Sequence, residues 1–270
     1  QRRHHMTKPV LLTRAEGNDG DAAALQARGL LPVIDPYIEI VTAGDASDAL
    51  RLRALLSAAG SSTQPTWLVA TSANALRCWA ELVGFDVLAA ALTAAAAASP
   101  SLRFAAVGPA TADALAQLGA HDVVLPETAS ARSLAELLMN EPAGDAIIPG
   151  GSRALGTVPE KLAAAGWSVH TGVVYETRAV HPVPASMASS IASDFSAVVF
   201  RSPSSVHAFV DGLTSVGLSP ADVTQLPTIC AGQTTAQAAE DAGLSVASVP
   251  SRPSADAIAD AAAHLLHGIS

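Results

Sequence analysis

Five short polar turns in this sequence carry residue types suited to holding anions: Thr71-Ser72-Ala-Asn74, Gly108-Pro-Ala-Thr111, Gly150-Gly151-Ser152, Ser202-Pro-Ser204-Ser205 and Gly232-Gln-Thr234-Thr235. Each lies between a short apolar run and a longer stretch with helical spacing, so each marks a buried strand turning into a helix. In an open parallel sheet those points line the carboxyl edge, where ligands bind. Helix N-termini there present unpaired N–H groups and a partial positive charge, which suits carboxylates or phosphates. Ser and Thr hydroxyls add donors, and glycine lets a ligand approach the backbone. The competing reading at each turn is plain N-capping, with Ser72 or Ser202 satisfying its own helix and Pro203 at the first helical position. Five such turns brought to face one another favour an anion pocket between two lobes.

Arg14, at the end of the first strand, and Arg153, near its counterpart in the second half, can each add a full charge to such a pocket. Arg14 also has Glu16 nearby as a partner for a surface ion pair. Arg201, beside Ser202, is open to the same two readings. Tyr175 can present its phenol as a donor or weak acid, or pack as an aromatic at a lobe junction. Other chemistries lack their signatures: there is no G-x-S-x-G, no G-x-x-x-x-G-K-[ST] and no G-x-G-x-x-G. His121, His170, His181, His207, His264 and His267 show no metal-ligand spacing with carboxylates, so no metal is expected.

Positioning these groups takes strands and helices. Val10–Thr13, Trp67–Ala70, Arg103–Val107, Asp122–Leu125, Ala146–Pro149, Ala197–Phe200, Thr228–Ala231 and Ser245–Val249 read as buried strands. Between them Asp21–Arg28, Ala46–Ala59, Ala73–Val83, Ala110–Leu118, Ser133–Asn140, Val158–Ala165, Ser204–Val216, Thr234–Ala242 and Ala255–Leu266 carry helical spacing. Strands of this kind alternating with helices predict parallel sheets covered on both faces. The pattern occurs twice. Gly108 and Gly232, Thr111 and Thr235, Gly119 and Gly243, and Pro126 and Pro250 are each 124 positions apart. Leu68-Val-Ala-Thr-Ser72 matches Val198-Val-Phe-Arg-Ser202, and Leu11-Leu-Thr-Arg14 matches the run from Ile147 to Arg153. The expected fold class is therefore α/β, with two similar doubly wound parallel-sheet lobes. Pro32–Val41 and Thr171–Val180 are extended in character and sit at corresponding points of the halves, where they can pair and join the lobes.

Composition bounds the rest. The chain has 270 residues, half of them hydrophobic and 14% charged, enough for two domains. Gln1–His5 reads as an expression scar (residues 1–5) and is set aside. The formal net charge is −9, or −11 without the two positives Arg2 and Arg3, which argues against a nucleic-acid partner. Cys78 and Cys230, 152 positions apart, form neither a disulfide framework nor a zinc spacing, so a cytoplasmic location is expected. The apolar run after Met6 is too short for a signal peptide. Leu88–Ala98 falls short of the ~20 residues a membrane span needs, so no membrane partner is expected.

Taken in order, Leu11-Leu-Thr-Arg14, Thr71-Ser72-Ala-Asn74-Ala, Val107-Gly108-Pro-Ala-Thr111-Ala, Val174-Tyr175-Glu-Thr177, Phe200-Arg-Ser202-Pro-Ser204-Ser-Val and Gly232-Gln-Thr234-Thr235-Ala resemble the uroporphyrinogen-III synthase family. The resemblance runs from about Lys8 to Leu266. It implies a cyclising hydro-lyase that closes hydroxymethylbilane to uroporphyrinogen III with inversion of ring D and loss of water, without metal or organic cofactor. It also implies two lobes joined by a two-stranded β linker, with residues 7–38 plus 178–270 as one lobe and 39–177 as the other. Duplication alone suggests a cut near Asn140. Tyr175 matches the family's tyrosine, proposed to assist departure of the hydroxyl, and Ser202 and Thr235 become positioning groups. The chain departs from the family at Arg201, where a small residue is usual, and at Gln233, where proline is frequent. A monomer is expected, with at most a transient contact with the preceding pathway enzyme. The rival reading is a non-catalytic bilobal binding protein for a small polycarboxylate or other anion, which the short N-terminal run disfavours in a periplasmic role. A two-domain glycosyltransferase is a third, weakened by the small size of each half.

Overall fold

The computed structural model describes residues 8–152 and 156–267. From the N-terminus, β1 (Val10–Leu12) leads to α1 (Asp19–Ala27), β2 (Pro32–Ile34) and β3 (Ile38–Thr42). Next come α2 (Ser47–Ala59), β4 (Thr66–Ala70), α3 (Ala73–Val83), α4 (Phe85–Ala98), β5 (Leu102–Ala106) and α5 (Pro109–Gln117). They are followed by α6 (Ala131–Met139), β6 (Asp145–Gly151), α7 (Thr157–Ala164) and the long β7 (Ser168–Ala179). The order then runs α8 (Ile191–Asp194), β8 (Ala197–Phe200), α9 (Pro203–Ser215), β9 (Thr228–Cys230), α10 (Gln233–Asp241), β10 (Val246–Ser248) and α11 (Ala255–His267). The Gln1–His5 stretch read as a scar lies outside the described residues.

The strands form two five-stranded sheets, of order β10-β9-β8-β1-β2 and β3-β7-β6-β4-β5. Pairing within the first sheet is parallel throughout, as are the β7-β6, β6-β4 and β4-β5 pairings of the second. The chain divides into two compact units: residues up to Glu39 together with those from Arg178 onward, and Ile40–Thr177. Both boundaries fall inside strands, β3 and β7, which are neighbours in one sheet.

Each sheet is buried on both faces, and the alternation along its strands shows how. In the first, Leu11, Val198, Phe200 and Cys230 enter one core while Val10, Leu12, Ala197, Val199 and Ile229 enter another. In the second, Leu68, Ala70, Phe104, Ala106 and Ile147 face one core and Trp67, Val69, Ala105, Ala146 and Ile148 the opposite one. Successive side chains of a strand point to opposite faces, so a strand apolar at every position needs a layer of helices on each side. The two sheets also repeat each other. β9, β8, β1 and β2 stand in one order, and β5, β4, β6 and β7 stand in the same order in the other. The helix ends at Gly119 and Gly243 take the positive φ that glycine accommodates there, +93° and +84°.

The structure differs from the sequence reading at Asp122–Leu125, in the run after Gly84, and at the short α8, which that reading did not contain. Asp122–Leu125 forms a single parallel bridge, Ala105 to Val124, and no strand. It runs along β5 as β10 runs along β9, but Val124 and Leu125 are over a third exposed and bury too little to extend the ladder. The alanine-rich run after Gly84 is a full helix, α4, which leaves α3 at 108°. It buries only Leu88, Leu92 and Ala95, a narrow stripe held by alanine's helix propensity. Among the described residues no single helix is long and apolar enough to cross a membrane.

Candidate functional site

In the Ile40–Thr177 unit the carboxyl ends of β4, β5 and β6, and Tyr175 within β7, carry the predicted groups. After β4, the Ser72 hydroxyl accepts from the Asn74 N–H at 3.1 Å and caps α3; Thr71 and Asn74 flank it, half-buried. After β5, α5 starts at Gly108 with no side-chain cap and with Pro109, which has no N–H, in its first turn. The Thr111 N–H turns back to Gly108 O at 3.1 Å, its side chain buried, and the Ala110 N–H keeps no partner in the helix.

Tyr175 sits against the end of β6. A bulge between Gly150 and Gly151 puts Gly151 opposite Tyr175, and the Ser152 N–H donates to Tyr175 O at 3.2 Å. A Cβ added to Gly151 would lie 2.5 Å from Cε2 and 2.6 Å from Cζ of the tyrosine, so the ring rests directly on the glycine backbone. Gly150 and Gly151 are buried and Ser152 is exposed. Tyr175 is 8% exposed and joins the core of its own unit. Burial raises its phenol pKa above the usual value, the Ser72 hydroxyl partly opposes the shift, and Cys78 adds to it. The phenol is therefore protonated across the neutral range and able to donate.

In the other unit the corresponding turns follow β1, β8 and β9. The Thr13 hydroxyl donates to Val199 O at 2.8 Å and ties the end of β1 to β8. The Arg14 side chain is exposed and folds over Gly17; a Cβ there would lie 3.3 Å from Cζ of the guanidinium. Asn18 Nδ2 donates to Arg14 O at 2.8 Å, while the buried Asn18 Oδ1 has no partner. Arg201 donates from Nε to Asp21 Oδ2 at 2.7 Å, from Nη2 to Asp21 Oδ1, and from Nη1 to Pro253 O at 2.7 Å. No salt bridge engages Arg14 among the described residues. Desolvation and the like charge of Arg201 lower the Arg14 pKa, and Asp21 and Glu16 partly restore it.

Ser202 caps α9, its hydroxyl accepting from the Ser205 N–H at 3.3 Å. The buried Ser205 hydroxyl donates to Ser202 O at 2.8 Å, and Ser204 beside it is half-buried. α10 begins at Gly232 with no side-chain cap; Thr235 is buried, and Gln233 and Thr234 are exposed. The capping reading thus describes Ser72 and Ser202, whereas Gly108 and Gly232 leave their first turns open. Ser202→Ala should cost about 1 kcal/mol of stability, read by urea denaturation; an unchanged midpoint would show that the cap carries no weight.

A family model described as Uroporphyrinogen-III synthase HemD matches residues 19–260. The chain belongs to the uroporphyrinogen-III synthase family. Among solved structures, the uroporphyrinogen-III synthetase of Helicobacter pylori is 14% identical, with a TM-score of 0.59 over 96% of this chain and 100% of that one. A mutant uroporphyrinogen III synthase of the extremely thermophilic bacterium Thermus thermophilus is 18% identical, with a TM-score of 0.56 over 96% and 100% of the two chains. These two likenesses establish the same α/β fold. No curated protein matches.

The described candidate residues of this uroporphyrinogen-III synthase family chain stand at or just after the carboxyl ends of parallel strands, in one unit or the other, except Tyr175, which lies within β7 opposite the end of β6. Arg153 lies outside the described residues. Asn18 and Asp21 were missed by the sequence reading. Asp21 reads as an ordinary first-turn acid of α1, but it is buried on the face that also holds Ala22, Ala24 and Leu25. It takes up the guanidinium of Arg201.

Proposed function

We propose that the chain cyclises hydroxymethylbilane to uroporphyrinogen III with inversion of ring D, in tetrapyrrole biosynthesis. The family match over residues 19–260 carries this reading. Its substrate bears eight carboxylates, and the chain meets them with main-chain donors and isolated arginines rather than a basic surface. In the one unit those groups are Arg14, Ser202, Ser204, Ser205, Gly232, Thr234 and Thr235, with Arg153 belonging to the other. That other unit offers Thr71, Ser72, Asn74, Gly108, Thr111, Gly150, Gly151 and Ser152. Open helix starts at Gly108 and Gly232 support carboxylate binding through backbone N–H groups and the local dipole.

Tyr175 is the proposed general acid. It donates to the departing hydroxyl of ring A, which leaves as water, and an electron-poor azafulvene remains. Ring D attacks through its substituted carbon, and the spiro intermediate fragments and recloses in the inverted sense. The phenolate recovers a proton released as the pyrroles of the macrocycle become aromatic again. The substrate's own pyrroles expel the hydroxyl, so the reaction asks for no metal or organic cofactor. The work of the protein is orientation of the chain ends before they close. The class is a cyclising lyase.

We further propose β3 and β7 as the two-stranded connection between lobes, supported by the unit boundaries inside both strands. The functional form is a monomer, with transient contact with the enzyme that supplies the unstable bilane. The two buried cysteines, neither in a disulfide, fit a reducing cytoplasm, and the net charge of −9 fits the absence of a nucleic-acid partner. The test is to incubate the protein with freshly made hydroxymethylbilane and resolve the isomers after oxidation. Isomer III in excess over the spontaneous isomer I is expected. Isomer I alone would leave the non-catalytic anion-binding reading.

A further inference from the structure

Arg14, Asp21 and Arg201 meet at the carboxyl ends of β1 and β8, which are neighbouring parallel strands. Arg14 and Arg201 each lie two residues beyond the paired Leu12 and Val199, and the carboxylate beside them, Asp21, is hydrogen-bonded to Arg201. Arg201 holds both oxygens of Asp21, and its remaining nitrogen reaches Pro253 O. Asp21 lies near enough to act on the charge of Arg14, yet no salt bridge joins them. The turn carrying Arg14 is fixed separately, through Asn18 Nδ2 on Arg14 O. Losing Arg201 would therefore change what the Arg14 side chain meets, not where its backbone runs.

We propose that Arg201 is a positioning residue: by gripping Asp21 in a two-pronged fork, it keeps that carboxylate from pairing with Arg14 and leaves Arg14 open to a carboxylate of the substrate. The fork of a guanidinium matches both oxygens of one carboxylate, and an acid bound that way has its charge and best lone pairs already used. Arg14, Asp21 and Arg201 together carry one net positive charge, and Glu16 also acts on Arg14. This rests on the reading of the chain as a bilane-binding enzyme, and it gives the availability of Arg14 a cause.

The decisive comparison uses three variants and two ligands. Arg201→Ala hands Asp21 to Arg14, and KM for hydroxymethylbilane should rise about tenfold with kcat within about twofold, as for one lost charge-assisted contact. Asp21→Asn combined with Arg201→Ala removes the competitor as well and should bring KM back to within about threefold of the starting protein. Adding Arg14→Ala to that pair should raise KM about tenfold again. An unchanged KM in Arg201→Ala overturns the proposal, as does a double variant no better than the single one. Should Arg201→Ala fail to fold, the double and triple variants decide alone: equal KM values overturn the proposal. Calorimetric affinity for benzenehexacarboxylate is measured in parallel and should follow the same order. Absence of isomer III from the unaltered protein would defeat the functional reading while leaving that binding series intact.

Discussion

Tyr175→Phe lowers isomer-III turnover by about tenfold to a hundredfold, the weak end of general-acid effects, because the leaving hydroxyl generates a stabilised cation readily without help. The variant keeps the ring that fills the core of its unit and loses only the phenolic hydroxyl. Stability should accordingly change little, and KM should hold. Burial raises the phenol above its ordinary pKa of 10.0, so the wild-type rate should show no alkaline limb from this group below that pH. Initial rates of isomer-III formation across pH for both proteins make the measurement. Undiminished turnover in the variant would remove Tyr175 from the mechanism.

Gly151→Ala acts on the same phenol from below. A methyl at Gly151 meets two ring carbons at 2.5 and 2.6 Å, closer than packed carbons come, so either the ring or the strand end must move. Overpacking of this kind costs about 1–3 kcal/mol of stability. The larger consequence is for chemistry, since a misplacement of about 1 Å at a reacting group costs on the order of a hundredfold in rate. Combining Gly151→Ala with Tyr175→Phe should add little further loss, because both act through one hydroxyl. The check is kcat for the two single variants and the double, alongside urea denaturation. Full turnover in Gly151→Ala would show that the contact between ring and glycine has no bearing on catalysis.

Much of this was legible because it is local. Runs such as Val10-Leu11-Leu12 and Ala197–Phe200, apolar at every position, state that both faces of a sheet are covered, and both faces are. The landmarks spaced by 124 residues state that the βα units at β5 and β9 are alike, and the two strands stand next to β4 and β8, which also correspond. What escaped was non-local or lacked contrast. Asp21 and Arg201 are 180 residues apart, and neither residue's neighbours announce the other. Phe85–Ala98 has so much alanine that its buried stripe does not stand out from its exposed sides. Gly151 and Tyr175 were each visible as candidates, but their contact comes from a bulge between β6 and β7, and a one-residue change of register leaves no trace in composition. The unit boundaries inside β3 and β7 depend in the same way on which strands pair.

Backbone donors at the strand-end turns of each unit are the groups proposed to take the carboxylates of the substrate. Amide resonances of 15N-labelled protein, followed during titration with uroporphyrin III, test this most directly. Shifts are expected at Ala110, Gln233 and Thr234, with Arg14 and its turn moving in step. Shifts confined to other surfaces, with those turns unmoved at saturation, would contradict the proposal.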